Sequence, residues 1–197
     1  MKRPLILASA SSRRQELLES LGIRLEILPS QVDEESLPGE SAQRHVLRLA
    51  RAKGAQIARQ RPGLWVLAAD TVVEVEGRIL GKPRDAQEAE EMLRMLSGKE
   101  HRVTTGYCLM RSAPFSYREG VVTSRVLFKT LSVEEIRWYV RTGEPFDKAG
   151  GYAIQGQAAF MVREIQGSYT NVVGLPLCEV VEDLRALGAV DPFEGNG

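Results

Sequence analysis

Two short, continuous apolar runs constrain the fold of this 197-residue chain most. The first covers residues 4–9 and ends in small residues, and the second, "LWVLAAD", covers residues 64–70 and ends in an aspartate. Runs of this length without alternation are typical of buried strands. Helical patterns are interspersed without strict βαβ repetition, which predicts an α/β protein with a mixed sheet and flanking helices.

The helices are predicted from their capping residues and apolar faces. A second helix, from about Ser41 to Arg59, carries Lys53 on an otherwise apolar face. The segment 144–157 is expected to be a loop, 158–167 a strand, and 176–187 a final helix begun by Pro176. We expect one domain over 1–190 and a flexible tail over 191–197. Three other helices are predicted to begin with capping boxes, at Ser12 with Gln15, Asp85 with Glu88 and Ser132 with Glu135.

Composition excludes several classes of protein. Basic and acidic residues both number 26, so the chain is not adapted as a whole to coat nucleic acid or an anionic membrane. Cys108 and Cys178 lack the spacing of a zinc site and are predicted to be inert core residues, compatible with a reducing compartment. The first apolar run is too short for a signal peptide or a membrane span, so we predict a soluble, cytoplasmic protein.

The first strand delivers serines to a helix start, where unpaired backbone N–H groups favour an anion. Ser9, Ser11 and Ser12 precede Arg13 and Arg14, which can donate paired hydrogen bonds to phosphate oxygens. A plain helix cap with solvated arginines is the alternative. Two cations in a first turn oppose the helix dipole, however, and a bound anion would remove that cost.

Four further residues, two acidic and two basic, are candidates for the same functional site. Asp70 ends an apolar run, where α/β proteins place catalytic groups, although such an aspartate can also cap a turn. Glu34 lies in the acidic loop "VDEES" and could be a second acid or a solvated charge. If the Lys53 ammonium is buried, it needs an anionic partner. The alternative is that its long side chain carries the ammonium to solvent. Lys82 follows Asp70 by twelve residues in a rigid "GKP" turn.

Other catalytic motifs are missing from the sequence. It contains no GxxxxGK[ST], GxGxxG, GxSxG or HExxH pattern, and His45 and His101 are isolated. The candidate functional residues that remain are arginines, lysines and carboxylates. These residue types suit a polyphosphate substrate, whose charge is neutralised by basic side chains and by a divalent metal bound to oxygen ligands.

Five ordered segments of the sequence match a known family: "LASASSRRQELLESLGI", "ESAQRHVLRLARAKG", "AADTVVEVEGRILGKPRDAQEAEEMLRMLSGKEHRVTTG", "GEPFDKAGGYAIQG" and "GSYTNVVGLPL". Through them the chain resembles the Maf nucleotide pyrophosphatases over essentially its whole length. The resemblance implies a mixed α/β fold, elongated and two-lobed around a central cleft, similar to the inosine triphosphate pyrophosphatases. It also implies a hydrolase acting on acid anhydrides, which cleaves a nucleoside triphosphate to the monophosphate and pyrophosphate with Mg²⁺ or Mn²⁺. Homodimers are common in the family, which is linked to removal of unwanted nucleotides.

The same resemblance assigns roles to individual residues. Asp70 matches the proton acceptor, and it could activate water directly or through a metal. Glu34 would help with metal or water. Arg13, Thr71 and Gln155 match positions associated with substrate choice, and "ADT" with "AIQG" resembles the branch acting on dTTP and UTP. The residues expected to bind the triphosphate are Ser9, Arg13, Arg14, Lys53 and Lys82.

Two alternatives remain open at the level of the sequence. One is a nucleotide-binding regulator of cell division without significant hydrolysis, which would leave Asp70 and Glu34 without a task. The other keeps the chemistry but acts on 7-methyl-GTP or a modified pyrimidine nucleotide.

Overall fold

A computed structural model describes residues 3–190 and Pro192. Apart from Pro192, the predicted tail 191–197 lies outside the described residues. The strands are β1 (Leu5–Leu7), β2 (Leu25–Ile27), β3 (Val66–Val75), β4 (Arg78–Leu80), β5 (Glu100–Ser112), β6 (Phe115–Phe128) and β7 (Val162–Gln166). The α-helices are α1 (Ser12–Glu19), α2 (Ala42–Gln60), α3 (Ala86–Leu96), α4 (Val133–Arg141), α5 (Tyr169–Val173) and α6 (Leu177–Ala186), and short 3₁₀ helices cover Glu144–Asp147, Ala149–Gly151 and Gly156–Met161.

The seven strands form one mixed sheet in the order β2-β1-β3-β5-β6-β7, with β4 paired to β3. β1 runs parallel to both β2 and β3, with Leu7 opposite Ile27 on one side and Leu67 on the other. The β3–β4 and β6–β7 pairs are antiparallel. The predicted mixed α/β fold with flanking helices is therefore confirmed.

The chain divides into two compact units, each with its own apolar core. Unit 1 comprises residues 3–70, 105–122 and 174–190, and unit 2 comprises 71–104 and 123–173. Unit 1 holds two clusters, one around Leu5 and Leu18 and one around Ile6 and Ile57. The core of unit 2 includes Phe128 and Tyr139. The expectation of a single domain over 1–190 stays a prediction.

Helix starts follow the capping residues, with two corrections. Asp85 caps α3 by accepting from Glu88 N–H, but the Glu88 carboxylate accepts from Arg84 N–H instead of Asp85 N–H, so the predicted capping box there is only half formed. The Ser132–Glu135 capping box is complete, since each side chain accepts from the other residue's backbone N–H. α1 is instead capped by Ser11, whose hydroxyl accepts from Arg14 N–H, so the predicted capping box at Ser12 is wrong by one residue. Ser12 lies inside the helix because the preceding serine already has extended backbone angles, as a cap requires.

Two local predictions differ from the structure, and one helix has no counterpart among the predictions. The strand expected over 158–167 is shorter, because 156–161 forms a 3₁₀ helix and β7 begins only at Val162. Helix α5 was not predicted. Cys108 is buried, as expected, but Cys178 is exposed on α6, so it is not a core residue. It lies on the outer face of a helix whose buried residues are Val180 and Leu184.

Helix α2 packs very close to β5 because a glycine lies at each point of contact. A Cβ on Gly106 of β5 would come within 2.8 Å of the Val46 carbonyl carbon in α2. A Cβ on Gly54 of α2 would lie 3.3 Å from Cys108 Sγ, two residues further along β5. This close approach fixes the backbone of α2, from which the Lys53 side chain extends.

Among the described residues, no helix is long and apolar enough to cross a lipid bilayer.

Candidate active site

The start of α1 forms a hydrogen-bonded turn that orients Arg14. Ser9, only 9% exposed, accepts from Ser11 N–H at 3.2 Å and from Arg14 Nη1 at 3.0 Å. Arg14 Nε donates to the carbonyl oxygen of Gly174 at 2.8 Å. These two bonds fix the guanidinium beside the helix N-terminus, where backbone N–H groups carry partial positive charge.

Charge is concentrated around this arginine. Burial lowers the pKa of the Arg14 guanidinium below its ordinary value, and the positive charge of Arg13 lowers it further. The carboxylates of Asp70 and Glu34 act in the opposite direction, Asp70 more strongly. Because these opposing effects require proximity, the arginine and both carboxylates share one electrostatic environment within unit 1.

A buried lysine joins the two predicted acids. Lys53 is 7% exposed and Asp70 8% exposed, and Lys53 Nζ lies 2.7 Å from Asp70 Oδ1. The same Nζ lies 2.6 Å from Oε1 of Glu34, whose side chain is 48% exposed. Lys53 therefore does not reach solvent, and it binds one buried and one partly exposed carboxylate. Glu34, Lys53 and Asp70 form what we call the carboxylate–lysine cluster.

Asp70 lies within a strand rather than at its end, which corrects the premise on which the sequence analysis singled it out. β3 continues to Val75 because its second half pairs with β4, where Val73 lies opposite Leu80. The parallel neighbour β1 does end early, at Leu7, and its last backbone bond to β3 runs from Ala8 N–H to the Leu67 carbonyl. Asp70 is thus beyond the carboxyl end of β1, the edge at which α/β sheets bind ligands.

The loop that carries Glu34 ends at a strongly paired glutamate. Glu40, whose side chain is 8% exposed, accepts from Arg48 Nε at 2.7 Å and lies 3.0 Å from His45 Nδ1. Hydrogen bonds from Arg48 are the main reason that the pKa of the Glu40 carboxyl falls from 4.5 to about 2, with smaller contributions from His45 and the Leu37 N–H. The carboxylate form of Glu40 therefore stabilises the folded chain.

This pairing predicts a pH-dependent stability. A carboxyl whose pKa is lowered by folding contributes stability that is complete above about pH 4.5 and is lost as the pH falls towards 2. The free energy of unfolding of Glu40→Gln should lie well below wild type at pH 6, and the difference should shrink steadily at lower pH. Urea titrations between pH 3 and 6 measure it, and a difference that grows on acidification would contradict the assignment.

Three predicted residues lie in unit 2. Thr71 follows Asp70 directly in β3, and Lys82 is exposed in the turn after β4. Gln155 is half-buried and precedes the 3₁₀ helix that begins at Gly156. The Lys82 turn is tied to the Gly-rich segment that leads to Gln155, because Gly150 N–H donates to the Gly81 carbonyl at 2.9 Å.

Two residues with clear structural roles have no role predicted from the sequence. Gly174 lies within "GSYTNVVGLPL", and its carbonyl accepts from Arg14; no local pattern could pair positions 160 residues apart. Lys148, 8% exposed, donates to the Glu144 carbonyl at 2.6 Å and pairs with Asp147. Its signal was a lysine within "DKAGG", a segment assigned only as a loop.

The donor set fits a divalent metal in part. Two carboxylates converge on the single cation Lys53 Nζ, and carboxylate oxygens are the ligands that Mg²⁺ and Mn²⁺ prefer. Within residues 3–190 and at Pro192, no group of three or more histidines, cysteines or acids could hold a metal ion. Glu34 and Asp70 are thus two carboxylates that could serve as metal ligands, a number that is typical of Mg²⁺ sites completed by substrate phosphates and water.

Known proteins resemble this chain over most of its length. The model of the family described as "Maf-like protein" matches residues 4–187. A dTTP/UTP pyrophosphatase of Geotalea uraniireducens (strain Rf4) is 54% identical over 194 residues, covering 96% of this chain and 98% of its own. One of Syntrophus aciditrophicus (strain SB) is 54% identical over 192 residues, covering 98% of this chain and 93% of its own. A solved HAM1 protein from Coxiella burnetii aligns with 94% of this chain and 100% of its own, at TM-score 0.48 and 19% identity.

Proposed function

Because the chain belongs to the Maf-like protein family, we propose that it is a nucleoside triphosphate pyrophosphatase that hydrolyses dTTP and UTP to the monophosphate and pyrophosphate. The relatives named dTTP/UTP pyrophosphatase align with almost the whole chain, which supports this substrate class. The structural observation that carries the proposal is the carboxylate–lysine cluster. It combines a candidate proton acceptor, Asp70, with a buried cation in the same unit as Arg14.

Phosphate binding is assigned to the start of α1 and to the basic residues. Arg14 is held in place by Ser9 and Gly174, so it loses little side-chain freedom when an anion binds. The N–H groups of the first helical turn add partial positive charge. We assign phosphate contacts to Arg13, Lys53 and Lys82 as well.

We assign to Asp70 the role of general base in the reaction. The oxygen of a water molecule forms a bond to phosphorus while the bond from that phosphorus to the oxygen bridging the α- and β-phosphates breaks. The water proton passes to the Asp70 carboxylate, and pyrophosphate and the monophosphate leave. Lys53 orients the base by donating to Oδ1, which leaves Oδ2 to accept the proton.

Glu34 and Asp70 would hold the divalent metal, which when bound would neutralise charge on the phosphates and lower the pKa of water. Carboxylates beside a triphosphate are otherwise unfavourable, so the two acids support a metal-dependent enzyme over a regulator that only binds nucleotide. The homodimer and the cytoplasmic location stay predictions.

Selection of the nucleotide is assigned to Arg13, Thr71 and Gln155. The side-chain amide of Gln155 can both donate and accept a hydrogen bond, as the edge of a uracil or thymine requires. Gln155 is half-buried and lies beside a segment that is anchored to the Lys82 turn. This position favours hydrogen bonds from its amide to a base over hydrogen bonds to water.

The function is tested by incubating the protein with Mg²⁺ or Mn²⁺ and a panel of dTTP, UTP, CTP, ATP, GTP, 7-methyl-GTP and a 5-modified pyrimidine triphosphate. We expect monophosphate and pyrophosphate in equal amounts, with dTTP and UTP turned over fastest. Release of orthophosphate would contradict the pyrophosphatase mechanism. Nucleotide that binds but survives for hours would contradict hydrolysis, and preference for another base would overturn the substrate assignment alone.

A further inference from the structure

Glu34 lies in a segment that has little structure of its own. Residues 28–41 form no helix or strand, and most of their side chains between 31 and 39 are exposed. The Glu34 side chain is itself 48% exposed, whereas its partner Lys53 is 9% exposed. The backbone of the segment is held by hydrogen bonds from α2 on both sides of Glu34.

Helix α2 holds one end of this segment through Gln56. The Gln56 side-chain oxygen accepts from Gln31 N–H at 2.8 Å, and its Nε2 donates to the Gln31 carbonyl at 3.1 Å. A side-chain amide that satisfies both backbone groups of one residue imitates a pair of strand hydrogen bonds. It fixes the backbone three residues before Glu34.

The other end is held by Arg48, eight residues earlier on the same helix. Arg48 Nη2 donates to the Glu35 carbonyl at 2.9 Å, directly after Glu34. Its Nε and Nη2 also donate to the two Glu40 carboxylate oxygens, at 2.7 and 2.8 Å. Charge-assisted bonds in this paired geometry are stronger than neutral ones. The lowered pKa of Glu40 agrees with a tight contact.

We propose that Arg48 and Gln56 are positioning residues, which clamp segment 31–40 onto α2 and thereby place Glu34 against Lys53. The two anchors are separated by about 12 Å of helix, and Lys53 lies between them in sequence. Hydrogen bonds from both residues go to segment 31–40, so both act mainly through the position of Glu34. The pKa of Arg48 is raised chiefly by its hydrogen bonds to Glu40, and the charge of Asp70 contributes least. The effect of the clamp on catalysis rests on the proposed function, whereas the clamp itself does not.

The clamp is tested without any activity measurement, by digestion of the native full-length protein with a glutamate-specific protease. Arg48→Ala and Gln56→Ala should be cut after Glu34 or Glu35 at least about 10-fold faster than wild type, because opening of the segment becomes easier. Arg44→Ala and Gln43→Ala, at exposed positions of the same helix, are the matched controls and should be cut at the wild-type rate. Equal cutting of all five proteins would overturn the proposal.

The catalytic consequence is tested with a double-mutant cycle on pyrophosphate release. Arg48→Ala and Gln56→Ala should each lower kcat about 10-fold, while the same changes in a Glu34→Gln background lower it less than about twofold. Arg48→Lys, which keeps the charge but loses the paired geometry, should fall between wild type and Arg48→Ala. Equal losses in both backgrounds would show that Arg48 acts independently of Glu34 and would overturn the proposal. A wild-type protein that releases no pyrophosphate would refute the proposed function, and the protease experiment would still decide the clamp.

Discussion

Replacing Asp70 by asparagine is expected to lower kcat for dTTP by about 10²–10⁴-fold, the usual contribution of a general base. The amide keeps the size of the side chain and can still accept from Lys53 Nζ, but it cannot take a proton from water. Binding of dTTP should be retained or tighter, because a negative charge near the phosphates is removed. Pyrophosphate release measures the first effect, and calorimetric titration with dTTP measures the second.

A matched control for this variant is Glu74→Gln, an acid-to-amide change four residues further along β3. It should keep close to wild-type kcat, since nothing assigns Glu74 to the site. Full activity in Asp70→Asn would remove Asp70 from its role as base. Loss of both turnover and dTTP binding would point instead to a role in holding the nucleotide.

The largest effect on stability is expected for Lys53→Met. Removing the ammonium leaves the buried Asp70 carboxylate without its partner, and breaking a buried ion pair in this way costs about 3–5 kcal/mol. Glu34 is half-exposed and can turn towards water, so most of the loss should arise from Asp70. The free energy of unfolding from urea titration measures this, and pyrophosphate release should be abolished as well.

The double variant Lys53→Met with Asp70→Asn separates lost charge from lost packing. If the penalty arises from an uncompensated carboxylate, the second change should recover most of the lost stability, although not the activity. Lys99→Met, which removes an exposed ion pair with Glu76, should leave stability nearly unchanged. Equal destabilisation by Lys53→Met and Lys99→Met would mean that the buried ion pair contributes no more to the free energy of unfolding than the exposed one.

Features that depend on neighbouring residues were predicted from the sequence. The buried strands and the Ser132–Glu135 capping box are predicted correctly, whereas the sequence leaves open whether Lys53 is buried or reaches solvent, and the structure shows that it is buried. A helix periodicity places Lys53 among apolar residues, and burial then requires an anion, so the need for a partner follows from local pattern and electrostatics.

Features that depend on distant residues were not predictable in the same way. The antiparallel return at Gly77 is indicated by the local pattern "TVVEVEG" and is confirmed by the β3–β4 pair, but no local pattern shows that β1 ends at Leu7, which places Asp70 beyond its carboxyl end. Nothing near Glu34 indicates that Gln56 and Arg48 hold its loop. The assignment of Glu34 came from family resemblance, and its physical basis became visible only in the packing against α2.

The bond between Arg14 and Gly174 has a consequence for biosynthesis. A ribosome adds residues in order, so the partner that fixes this arginine emerges 160 residues after the arginine itself. Glu34, Lys53 and Asp70 are all translated well before Gly174. A nascent chain therefore contains the carboxylate–lysine cluster before the bond that holds Arg14 can form, and that bond waits for the synthesis of Gly174.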